Sequence, residues 1–197
     1  VYPIEMVSAY TVFANLGSRV APSAIVRVTD QSGAVLWEPR PFVESVLSRE
    51  EAWIMNDMLR DVVRRGTAYG AVVANGGFRH PAGGKTGTTN EYSDVWFIGY
   101  TADIVAGVWI GFDRPKRIMD NAQGGRLAAP AWTAFMNDVY RRKPAPPEWP
   151  RPASLIAVEI DAPSGQRRGL CSASNATTAW FIPGTEPVDL CLPGVLD

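Results

Sequence analysis

Apolar residues recur at helical spacing from the start of the chain, where Ile4, Val7, Tyr10 and Ala14 follow Pro3, a residue suited to the first helical position. Gly17 stands where a helix C′ residue belongs, so a first helix is expected between these two markers. Apolar runs at 24–28 and 35–37 then flank Asp30-Gln31-Ser32-Gly33, the pattern of a β-hairpin. Ser48 and Glu51 have the spacing of a capping box ahead of Trp53, Ile54, Met58, Leu59, Val62 and Val63, which form one broad apolar face ending at Gly66.

The period changes after the breakers Asn75-Gly76-Gly77 and Pro81-Ala82-Gly83-Gly84. Residues 85–112 are rich in Val, Ile, Trp, Phe and Tyr, with Thr101-Ala102-Asp103 as the polar interruption. Three consecutive antiparallel strands are predicted, at about 84–90, 94–101 and 104–112. Pro130 is read as the first residue of a third helix, with Trp132, Phe135, Met136 and Val139 along one face and Arg141-Arg142-Lys143 at its C-terminal end, where cations suit the dipole. The prolines of 144–152 then forbid helix and central strand. The pattern therefore predicts an α+β fold, an antiparallel sheet with covering helices: a main domain at 1–142, a proline-rich linker at 143–152 and a small C-terminal extension at 153–197.

At 197 residues and 46% hydrophobic content the chain can fill a core. Nineteen basic against twenty acidic residues give a net charge of −1, no footprint for nucleic acid or an anionic membrane, so a partner has to be recognised by a local site. No apolar run is long enough to span a bilayer, and no leader opens the chain. It begins at Val1, in mid-pattern, and so reads as a fragment of a longer product. Cys171 and Cys191 both lie near the end; paired, they would stabilise the tail by about 3 kcal/mol and call for an oxidising compartment, and unpaired they would be two buried or free thiols. His80 is the only histidine and no Cys-x-x-Cys occurs, so neither metal nor cofactor is expected.

Gly84-Lys85-Thr86-Gly87-Thr88-Thr89 carries the chemistry. A phosphate-binding loop would need glycine where Arg79 stands and a helix immediately after, and neither requirement is met. On a strand, Lys85 can instead offer its charge to a carboxylate, an attraction of about 4 kcal/mol at 4 Å before desolvation. The Thr86 and Thr88 hydroxyls can add hydrogen bonds, and Gly87 allows the close backbone approach of an extended peptide. The Thr88 N–H could serve as one of two oxyanion donors.

Lys-Thr-Gly ahead of a run of strands resembles the third motif of the serine penicillin-binding proteins and β-lactamases. Blocks at 2–15, 62–68, 84–89, 94–100 and 124–130, and the stretch 181–187, resemble in order the class A, bifunctional penicillin-binding proteins over nearly the whole chain. That resemblance implies part of a serine β-lactamase/DD-transpeptidase fold with a small C-terminal appendage. It implies a peptidoglycan stem peptide as substrate, β-lactams as inhibitors, and an extracytoplasmic enzyme anchored in the membrane by a segment outside this sequence. By the same resemblance Lys85 and Thr88 are the catalytic candidates, and Thr86, Gly87 and Thr89 the substrate-binding ones.

One departure matters. The residues three before Lys85, Lys116 and Lys143 are Ala82, Asp113 and Tyr140, so no Ser-x-x-Lys exists, nor any Ser-x-Asn. The nucleophile and its base would come from an upstream part of the same protein, and this chain alone is expected to be inactive. The alternative is a non-catalytic module that holds a peptidoglycan peptide or a partner; a carboxypeptidase or β-lactamase fits the class A blocks less well. Among lesser candidates, Thr67 reads as helix-end packing, Asp94 as a partner within the strand turn, and the aromatics of 96–112 as sheet core. Asn175-Ala176-Thr177 has the form of a glycosylation acceptor, a pattern short enough to arise by accident.

Overall fold

The computed structural model describes residues 1–192. In chain order the elements are α1 (Pro3–Ala14), β1 (Ser18–Val20), β2 (Val28–Thr29), β3 (Val35–Trp37), β4 (Val43–Ser45), α2 (Arg49–Arg64), a π-helical turn (Gly70–Ala74), β5 (Gly83–Thr88), β6 (Val95–Tyr100), β7 (Val105–Ile110), α3 (Gly124–Arg142), β8 (Ile156–Asp161), a 3₁₀ turn (Ala173–Asn175) and β9 (Ala176–Phe181). They divide into two compact units, Val1–Trp149 and Pro150–Asp197.

The first unit is built on an antiparallel sheet of order β5-β6-β7. β5 is an edge strand, with the register Lys85↔Ile98 and Gly87↔Trp96. Behind the sheet lies a core of Val63, Val72, Phe78, Phe97, Trp132 and Met136, to which α2, the π-helical turn, β6 and α3 all contribute. Trp132 is its centre: completely buried, edge-on to Phe97 at 5.3 Å and Phe78 at 5.4 Å, its Nε1 donating to Gly99 O at 3.1 Å.

Local signals explain why α1 and α2 form. Pro3 opens α1, and Gly17, at φ +109, turns the chain away where a Cβ would meet Leu47 O at 2.4 Å. Of the residues that suggested α1, Ile4 is 57% exposed while Ala14 is buried, and the helix buries Ser8 and Val12 beside it. At α2 the capping box is complete: Ser48 Oγ accepts from Glu51 N, and Glu51 Oε2 accepts from Ser48 N at 2.8 Å. Acceptance of the Ser48 hydroxyl and backbone N–H holds the Glu51 carboxyl below its ordinary range.

Two expectations are corrected. α3 starts at Gly124 and not at Pro130, which lies inside it. Proline there removes one N–H that would bond the carbonyl of Arg126, on an exposed stretch where water can take its place. The hairpin is shorter than its apolar run: β2 contains only Val28 and Thr29, while Ile25 and Val26 are exposed and unpaired in any strand. Trp149, from the proline-rich stretch, is buried, donating from Nε1 to Ala14 O at 2.9 Å and accepting from Trp53 Nε1 at 3.4 Å.

The second unit is a hairpin, β8 paired antiparallel to β9 from Ile156↔Phe181 to Asp161↔Ala176. Arg151 stacks over Trp180, 3.7 Å from the ring centroid. Cys171 and Cys191, 20 residues apart, are joined in a disulfide. Breaking it with reductant, or replacing both cysteines by serine, is expected to cost this unit about 3 kcal/mol through the regained freedom of the unfolded loop. Urea unfolding followed by Trp180 fluorescence, with and without reductant, measures the loss.

Candidate functional site

The candidate residues lie on β5 and just beyond it. Thr89 N donates to Asp94 O at 3.1 Å, which fixes the odd-numbered residues as the ones paired with β6. The N–H and C=O groups of Gly84, Thr86 and Thr88 therefore point to the open side of β5, where no strand of its sheet lies. An extended peptide laid along this edge would find the Thr88 N–H free of a ladder partner.

Lys85 is exposed, its Nζ donating to Thr86 O at 2.9 Å. It has no acidic partner among the described residues, so its charge is available to a carboxylate. The Thr86 hydroxyl lies 2.8 Å from that of Thr67. Thr88 Oγ1 accepts from Gly124 N at 3.1 Å, leaving its proton free to donate. Gly87 lies across from Trp96; a Cβ here would sit 3.2 Å from the Trp96 Cβ, tight enough to shift it.

Thr89 faces a different task. Its Oγ1 accepts from Ser93 N at 3.1 Å and Asp94 N at 2.9 Å, tying up the β5–β6 turn. Asp94 completes that turn, its Oδ1 accepting from Trp109 Nε1 at 2.9 Å and its Oδ2 from Ser93 Oγ at 3.0 Å. The structure thus brings Lys85, Thr86, Gly87 and Thr88 to one edge and places the Thr89 hydroxyl away from it. Among the aromatics, Phe97 and Tyr100 are buried, whereas Trp96 is half-buried and Trp109 is exposed. The buried Tyr100 hydroxyl, pushed up by desolvation, stays protonated and donates to Asn56 Oδ1 at 3.0 Å.

Sequence reasoning missed two contributors. Thr67 is more than helix-end packing, since its hydroxyl pairs with Thr86 at the strand edge. The amino end of α3 is the other: a Cβ on Gly124 would lie 2.2 Å from Trp96 O and 2.7 Å from Gly87 O, and one on Gly125 would lie 2.2 Å from Thr67 O. Only glycine lets the helix press so closely on β5. The repeated Gly-Gly ahead of Arg126 was the available signal. Gly124→Ala is expected to destabilise the first unit by about 1–3 kcal/mol, because backbone must move to admit the methyl group. Thermal unfolding measures this, and a smaller loss would mean that the helix end yields instead of the strand.

Residues 1–137 match the penicillin binding protein transpeptidase domain family. Over 194 residues and 97% of its length the chain is 37% identical to penicillin-binding protein 1A of Aquifex aeolicus strain VF5, of which it spans 25%. It is 36% identical over 197 residues to penicillin-binding protein 2D of Bacillus subtilis strain 168, again over 97% of the chain and 28% of that protein. A crystal structure of penicillin-binding protein 1A from Haemophilus influenzae superposes with a TM-score of 0.84 and 26% identity, covering 98% of this chain and 33% of that one. The chain thus spans about a quarter of the curated relatives it matches. The matched run of residues 1–137, the β5 edge and most of α3 included, shows that the chain belongs to the penicillin-binding protein transpeptidase family.

Proposed function

We propose that this chain is part of an extracytoplasmic DD-transpeptidase that cross-links peptidoglycan stem peptides and is acylated by β-lactams, supplying one wall of the active site. The open edge of β5 carries the reading: a free cation at Lys85, hydroxyls at Thr86 and Thr88, and an outward Thr88 N–H, together on one strand. Lys85 and the two threonines hold the terminal carboxylate of a stem peptide whose backbone runs along the edge. The Thr88 N–H stabilises the oxyanion that forms when a serine attacks. That serine, its lysine base and the membrane anchor come from upstream residues outside this sequence, because the only lysines here lack a serine three residues before them. Among the described residues no helix is long and apolar enough to cross a membrane.

Incubation with a fluorescent penicillin tests this in two arms. The chain alone is expected to form no covalent adduct, and a longer protein that adds a Ser-x-x-Lys segment upstream to form one per molecule. A stoichiometric adduct on the chain alone would sink the division of labour. No adduct on the longer protein would favour a non-catalytic binding module.

A further inference from the structure

The C-terminal unit brings together three side chains that the site on β5 does not use. A carboxylate oxygen of Asp161, the last residue of β8, and the sulfurs of Cys171 and Cys191 all lie within 4.8 Å of one another. Asp161 is 3% exposed and Cys191 2%, while Cys171 is half-buried. The carboxylate is only partly satisfied. Ser164 donates to its Oδ2, from N at 3.1 Å and from Oγ at 2.7 Å, but the buried Oδ1 has no hydrogen-bond partner among the described residues. A buried carboxylate oxygen without a donor is costly, and a cation held at the same point removes that cost.

With the disulfide closed, the sulfurs have no thiolate to offer. Reduction changes this. A phosphine breaks the S–S bond, each sulfur takes one proton of a water molecule, and the phosphine leaves as its oxide with the oxygen of that water. The sulfurs then relax apart toward about 3.5–4 Å, the separation of ligand atoms around a tetrahedral zinc ion. They stay close because backbone bonds also tie their segments: Arg167 N donates to Asp189 O, Cys191 N to Arg167 O and Leu170 N to Cys191 O, each at 2.9 Å. Asp161 is held by its register with Ala176 and by the bond from its N to Gln166 O at 2.9 Å.

We propose that, once the disulfide is reduced, Asp161, Cys171 and Cys191 bind a thiophilic divalent cation of the zinc class. On binding, the two thiols give their protons to solvent, and two metal–sulfur bonds and one metal–oxygen bond form. Two thiolates favour zinc over calcium or magnesium. Ser164 orients the carboxylate, and its Oγ also lies 3.6 Å from Cys191 Sγ. Three protein ligands leave the fourth position to water. No Cys-x-x-Cys or histidine pair announces this site, because its ligands meet only through the fold of the β8–β9 hairpin and the loops beside it. The unit is thereby stapled in both redox states, by the S–S bond where conditions oxidise and by the metal where they reduce.

The test uses the whole chain, a phosphine reductant that does not compete as a thiol would, and cobalt(II) as the probe. Cobalt reports thiolate ligation by a near-ultraviolet charge-transfer band and tetrahedral geometry by its d–d bands. The reduced chain should take up one cobalt ion that zinc displaces, and the zinc form should unfold at higher urea than the metal-free reduced chain. Asp161→Asn should weaken zinc binding about tenfold or more, read by competition with a chromophoric chelator. The urea midpoint of the same variant in its oxidised form shows separately that it folds. Should it be unfolded even when oxidised, Ser164→Ala, which frees the carboxylate without removing it, takes its place with about a tenfold weakening expected. No charge-transfer band on the reduced chain, or zinc affinity in the folded variant within about twofold of the parent, overturns the proposal.

Discussion

Lys85→Ala in the serine-bearing protein is expected to slow acylation by a penicillin by about 100- to 1000-fold while leaving the fold intact. The argument rests on charge and exposure. The Lys85 ammonium has no acidic partner among the described residues and contacts only the carbonyl of Thr86, so nothing in the folded chain depends on its charge. Attraction to a carboxylate at about 4 Å amounts to about 4 kcal/mol at a partly screened surface, and desolvation leaves about 3 kcal/mol of it, which corresponds to the lower end of that range. Stability should change by less than about 0.5 kcal/mol, as at other exposed positions. Stopped-flow acylation and a thermal melt on the same protein check both halves. A loss under about threefold would show that the carboxylate is held by the threonines alone.

Trp132→Ala should have the largest effect on stability, about 3–5 kcal/mol. The ring fills the centre of the core, packs edge-on against Phe97 and Phe78, and ties α3 to β6 through its bond to Gly99 O. Removing it leaves a cavity bounded by elements that cannot all collapse together. Trp132→Phe should cost less, since most of the apolar volume remains. Urea denaturation of both variants gives the comparison, and equal losses would mean that the indole hydrogen bond outweighs the volume. Because α3 also sets β5 through Gly124, the alanine variant should lose peptide binding at urea concentrations where the parent still binds.

The elements legible in the sequence are those whose signals are local. Ser48 and Glu51 announce the start of α2 because a capping box is made of side chains three positions apart, and the strands β5 to β7 announce themselves by composition. α3 hid its start because Gln123 makes no side-chain cap and the first residues are glycines, poor helix formers that are there for the sake of β5. Pro130 then looked like a beginning. β1 and β4 were invisible: three residues each, paired across 25 positions by Arg19 and Glu44, they carry no periodic signal of their own. At the site, Lys85 to Thr88 could be named from the motif. The Thr67–Thr86 contact could not, since it depends on where α2 ends relative to β5.

The same outward row of backbone groups that suits β5 to a ligand has a second consequence. Two copies of this chain meeting at the exposed part of their β5 edges, Lys85 to Thr88, would offer each other the ladder that a peptide otherwise supplies, and Gly87 presents no side chain to prevent it. Lys85 is the one charge on the strand, and two such edges would bring like charges together. The residue that attracts a carboxylate thus also acts as a gatekeeper, keeping an unoccupied edge from templating self-association.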